Sequence, residues 1–159
     1  VTAYAGQRIT ASEVNNLGIS SVRKSGNQSV SSSTVLVNDT QLFVPLAAST
    51  AYGFNIFVFY TGAATGTGDI KMAWSLPSGA TMTYQWLIDN LSNATQMGQG
   101  NGGVLFCGSN GAVVQAASMQ GSILTSTTVG NLQLQWAQDT SNATATVVQA
   151  GSILNVWFS

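Results

Sequence analysis

Asn131-Leu-Gln-Leu-Gln-Trp-Ala-Gln138 sets Leu132, Leu134 and Trp136 at alternate positions, with Gln133, Gln135 and Ala137 between them. A period of two places the two sets on opposite faces of a β-strand, one apolar and one largely amide-bearing. Outward from this stretch the chain keeps the same habit. Runs of strand length are expected at 29–37, 42–46, 52–60, 69–76, 82–88, 103–107, 122–126, 144–149 and 153–158. Between them lie clusters of Gly, Asn, Asp, Ser and Thr, such as 61–68 and 98–103, which read as turns and loops. Many short strands without a sustained helical period predict an all-β sandwich of jelly-roll type. No internal repeat or long linker divides it, so one body is expected over 29–159, preceded by an N-terminal segment, 1–28.

Two of the expected strands are apolar on both faces. Phe54, Ile56, Val58 and Tyr60 alternate with Phe57 and Phe59, and Ile153 and Trp157 oppose Leu154, Val156 and Phe158. A sheet with one wet face alternates apolar and polar residues. A strand that does not is either covered on both sides within its own fold or set against another subunit. A subunit interface through Phe57, Phe59, Val156 and Phe158 is the favoured expectation.

Composition points the same way. The 159 residues carry four Lys or Arg, five Asp or Glu and no His, for a net charge of −1. Acid–base catalysis, metal ligation and phosphate binding draw on those residue types, so no catalytic residue, metal site or cofactor is expected and the chain reads as a non-enzyme. Four dispersed cations do not make a nucleic-acid surface. No apolar run reaches the length that spans a bilayer, and 1–17 has neither the basic start nor the apolar run expected of a secretory signal. With 45% hydrophobic residues there is material for a core, while so small a net charge gives little mutual repulsion between copies. An oligomer or a docked component of an assembly is therefore expected.

The N-terminal segment differs in kind. Arg8, Glu13, Arg23 and Lys24 place four of the charged side chains within its first 24 residues. Thr10 and Glu13 have capping-box spacing, Ile9 and Val14 occupy the staple positions, and Gly18 follows Leu17 where a helix-terminating glycine belongs. A helix over about 11–17 is expected. It is too short to stand alone, so it packs either on its own domain or on a larger assembly. Tyr4, Arg8, Ile9, Glu13, Val14 and Leu17 are the candidate docking residues.

Other signals carry less. Cys107 is the single cysteine, set in an apolar run, and reads as a core residue with no histidine to activate it. Asp69 and Lys71 share a strand face and read as a solvated pair. The glycine-rich 98–103 lacks the Lys-Ser/Thr of a phosphate loop. Of the four tryptophans, Trp86, on one face with Tyr84, is the candidate for contact with a sugar ring, although core packing is the commoner fate of such residues.

Three stretches in order resemble small virion proteins of tailed actinobacterial phages. These are Tyr4-Ala-Gly-Gln-Arg-Ile-Thr-Ala-Ser12, Gly68-Asp-Ile-Lys-Met-Ala-Trp-Ser-Leu-Pro-Ser-Gly-Ala-Thr81 and, most specifically, Gly130 through Ser152. The resemblance implies a jelly-roll similar to tumour-necrosis-factor and C1q heads, forming a homotrimer. It further implies a structural place on the virion surface as a capsid decoration or minor tail protein, with capsid or tail proteins as partners. A host receptor- or carbohydrate-binding module of the tail, using Tyr84 and Trp86 with loop amides such as Asn90, Asn93, Gln96 and Asn101, is the alternative. The loops carry fewer Arg and Asp than that family pattern, which disfavours a charged receptor site.

Overall fold

A computed structural model describes residues 18–64, 69–90, 94–100 and 103–159. The strands are β1 (Ser20–Arg23), β2 (Gln28–Val30), β3 (Val37–Leu46), β4 (Ala51–Thr61), β5 (Ile70–Ser75) and β6 (Thr81–Asn90), followed by β7 (Ala94–Gly100), β8 (Leu105–Cys107), β9 (Gln115–Leu124), β10 (Gly130–Gln138), β11 (Thr146–Val148) and β12 (Ile153–Phe158). Among the described residues there is no helix. The helix expected over about 11–17 lies outside the described residues, as do Tyr4, Arg8, Ile9, Glu13, Val14 and Leu17.

The strands form two antiparallel sheets. The larger runs β1-β12-β4-β9-β6-β7, with β11 and β2 continuing beside the far part of β4; the smaller runs β3-β10-β5-β8. The chain therefore passes between sheets repeatedly, from β3 to β4, β4 to β5 and β5 to β6, and again from β8 to β9 and β9 to β10. Such crossings bury one face of each strand between the layers. Phe54, Ile56, Val58 and Tyr60 of β4 are fully buried there, opposite Leu132, Leu134 and Trp136 of β10 and Ile70 and Met72 of β5. Phe54 meets the edge of Trp74 across the layer, with ring centroids 5.3 Å apart.

Several elements differ from the sequence expectation. The run expected at 29–37 breaks after β2, where Ser32 takes a left-handed φ of 53° and the chain turns before β3. β9 begins at Gln115, well before the expected 122, because its inward residues Ala117 and Gly121 are too small to show alternation. β7 includes part of the glycine-rich run expected to be loop, and pairs with β6 from Tyr84↔Gly100 to Asn90↔Ala94. Gly121 has a clear reason to be glycine. A Cβ there would meet the Thr83 carbonyl and come within 2.7 Å of Tyr84 Cα, so β6 and β9 approach this closely only without a side chain.

β1 is joined to β12 over Ser20↔Val156 to Arg23↔Ile153, so the later part of the 1–28 segment belongs to the larger sheet. Lys24, the next residue, is fully buried. Its Nζ donates to both carboxylate oxygens of Asp39, at 2.9 and 2.8 Å. Asp39 Oδ1 also accepts from the backbone N–H groups of Gln41 and Leu42, each at 2.9 Å, and Oδ2 from the Trp136 indole at 3.3 Å. This network locks the β1 end of the larger sheet to β3 at a register shift in the β3–β10 ladder, between Gln133 and Gln135. One of the charges counted in the N-terminal segment is thus a structural one.

Candidate functional site

Register decides which side chains face away from the core. Directly opposed residues in an antiparallel ladder share a face. Across β1, β12, β4, β9 and β6 the outward residues fall into cross-strand rows. One row is Ile153, Phe57, Ser118 and Leu87, with Arg23 at its margin. The next is Asn155, Asn55, Gln120 and Gln85, with Ser21 at its margin. A third is Trp157, Gly53, Ser122 and Thr83.

Phe57 is 46% exposed and Phe59, two residues on, 36% exposed, so both project from this face as expected. Leu87 is also exposed. In the amide row, Asn155 Nδ2 donates to Asn55 Oδ1 at 2.8 Å, while Gln120 and Gln85 are exposed. In the third row the Trp157 indole lies over Gly53, in the space a Cβ would take. Apart from Arg23, no charged residue belongs to these rows.

Val156 and Phe158 do not share this outer face. Val156 is 2% exposed and faces the core. Phe158 is on the same side of β12 but at the end of the strand, where it is 41% exposed and tilted against Tyr52 with centroids 5.1 Å apart. The correction has a simple cause: β12 is apolar on both faces, and its pairing with β4 sends Ile153 and Trp157 outward beside Phe57 and Gly53. Those two residues take the place of Val156 and Phe158 on the outer face.

The expected ligand residues turn inward. Tyr84 and Trp86 do share a face, opposite Gly121 and Met119 of β9, but it is the core face. Tyr84 is buried and desolvation raises its pKa; Trp86 is half-buried and packs against the core cluster. Asn93 and Asn101 lie outside the described residues.

Chemistry elsewhere is structural. Cys107 is buried, and burial, with the nearby Asp69 charge, pushes its thiol up to about 12. Asp69 accepts from the backbone N–H of Ser109 at 2.9 Å, holding the loop after β8 against the start of β5. Lys71 faces outward from the smaller sheet, between Ala137 and Phe106 in register. Among the described residues no group of three or more Cys, Asp or Glu side chains could hold a metal. Nor is there a helix long and apolar enough to cross a membrane.

No protein-family model matches this chain, and no curated protein sequence matches it. Among solved structures it is similar to the tripod from the baseplate of bacteriophage Tuc2009, with 13% identity, 100% of this chain and 73% of that chain covered, and a TM-score of 0.41. It is also similar to a chain of infectious bursal disease virus strain Gx, at 6% identity over 87% of this chain and 35% of that one, with a TM-score of 0.23. The strain Gt structure gives 9% identity, 87% and 36% coverage, and a TM-score of 0.23. At these identities and scores the likenesses transfer no function to the chain.

Proposed function

We propose that this chain is a non-enzymatic structural protein of a phage virion, a jelly-roll that assembles as a homotrimer on the particle surface, as a capsid decoration or minor tail protein. The observation that carries this reading is the outer face of the larger sheet. It presents Phe57 and Phe59 near amides and hydroxyls, with Arg23 as the one charge in the three rows described above. A face of this kind is suited to burial against protein: fully burying one Phe contributes roughly 1.5–3 kcal/mol, and there are no ionised groups in its middle to desolvate.

The ends of the sandwich support a fixed orientation. Ser20 pairs with Val156, Ser159 N–H donates to the Ala51 carbonyl at 3.2 Å, and Ser49 N–H donates to Ser126 O at 2.7 Å. The start of β1, the end of β12 and the β3–β4 and β9–β10 turns therefore share one end. The segment bearing Tyr4, Arg8, Ile9, Glu13, Val14 and Leu17 leads into that end and docks the protein on capsid or tail proteins. The loops around 108–114 and 139–145 are then turned away from the particle.

The test is near-atomic imaging of intact particles. The expected result is density for this sandwich in threefold groups on the capsid lattice or on the tail, with the 20–23 end toward the particle. Its absence from purified particles would overturn the reading.

A further inference from the structure

We propose that the amide row Asn155–Asn55–Gln120–Gln85 is the element that selects one mode of assembly when copies of this chain pack through the larger sheet. This rests on the self-association proposed above and goes further, because it assigns selectivity to particular side chains. The four residues stand in direct cross-strand register on four adjacent strands. Ile153, Phe57 and Leu87 flank them on one side and Trp157 on the other. A polar row beside an apolar one is costly to bury unless each amide finds a partner.

Asn155 and Asn55 partner one another, at 2.8 Å. The exposed Gln120 and Gln85 make no side-chain hydrogen bond to the described residues. Each carries two donors and an acceptor, so the amides of neighbouring copies about a shared axis can satisfy both roles, whereas a carboxylate only accepts and an ammonium only donates. The apolar side chains alone would accept many sliding arrangements, since contacts between them are non-directional. Amides accept only arrangements that bring donor to acceptor. A single buried Asn in a coiled coil fixes register and oligomeric state by the same logic, at some cost in stability.

The occupant is a second copy on two further grounds. The middle of the face has no charge with which to select an oppositely charged partner, and a net charge of −1 leaves copies almost without repulsion. The area points the same way. The six strands average about eight residues each, so at about 4.8 Å spacing they span roughly 24 by 26 Å. That is about 600 Å², most of the roughly 800 Å² that each partner contributes to an interface of ordinary size.

The experiment is sedimentation velocity on the full chain across a concentration series, comparing wild type, Asn55→Leu/Gln120→Leu and Phe57→Lys. Near-UV circular dichroism checks the fold, and exposed Gln120→Leu alone serves as a second variant should the double variant misfold. The expected wild type is a single oligomer. The leucine variants should associate about tenfold more tightly or better but as two or more species, while Phe57→Lys should be monomeric. A wild-type oligomer whose leucine variants keep the same single state and dissociation midpoint would overturn the selectivity assignment and leave self-association standing. An oligomer that survives Phe57→Lys would overturn the choice of face. A wild type monomeric at tens of micromolar would overturn the self-association reading itself.

Discussion

Lys24→Met and Asp39→Asn each remove one half of the buried ion pair, and the surroundings say what each leaves behind. After Lys24→Met the Asp39 carboxylate keeps the N–H groups of Gln41 and Leu42 and the Trp136 indole, but has lost its counter-charge. After Asp39→Asn the ammonium keeps only an amide oxygen and Gln28 Oε1, the latter at 3.4 Å. Removing one partner of a buried pair costs about 3–5 kcal/mol. The second variant should stand at the upper end, because an ammonium with fewer acceptors remains buried. For a domain of this size that corresponds to a fall in melting temperature of roughly 6–20 °C.

The double variant is more telling. It has no buried charge, and an asparagine oxygen can still accept from Gln41 and Leu42. Its cost should fall short of the sum of the single costs by about 2 kcal/mol or more. Urea denaturation at one fixed protein concentration measures all three, provided the m-values agree. Single costs below about 1 kcal/mol with simple additivity are the behaviour of an exposed pair. That result would refute the claim that this network joins the two sheets.

Three further outcomes are expected. Cys107 should resist alkylation at pH 8 in the folded chain and react on unfolding. Its thiol moves from 9.0 to about 12 on folding, so below pH 9 both states keep the proton and stability is indifferent to this group. Between 9 and 12 only the unfolded chain releases it, and stability should fall by up to about 1.4 kcal/mol per pH unit; a rise in stability over that range would contradict the assignment. Gly121→Ala should cost about 1–3 kcal/mol or more in a urea melt, since backbone must move. Gly53→Ala should cost less and chiefly change Trp157 fluorescence, because an indole can swing aside; equal costs would argue against these contacts. Trp86→Ala should lower stability by roughly 2 kcal/mol, less than for a fully buried Trp, with particle adsorption to host cells unchanged. Lost adsorption at unchanged melting temperature would restore a ligand role for this residue.

The sequence by itself determined the class of fold and the faces of its best-patterned strands. Leu132, Leu134 and Trp136 alternate with amides, and β4 separates Phe54, Ile56, Val58 and Tyr60 from Phe57 and Phe59, so a period of two suffices to assign inside and outside. The scarcity of charge was equally legible, and with it the neutral character of the surface.

What only the tertiary structure decided has one physical source: pairing between residues distant in the chain. β12 is apolar on both faces, so nothing local distinguishes Val156 from Trp157; the Asn155↔Asn55 register does. Tyr84 and Trp86 turn inward because β6 pairs with β9, whose Ala117 and Gly121 were too small to signal a strand. Lys24 and Asp39 are 15 residues apart, and nothing local pairs them; the approach of β1 to β3 does. The amide row exists only in register, since its four members come from four strands and adjoin only once the sheet has formed.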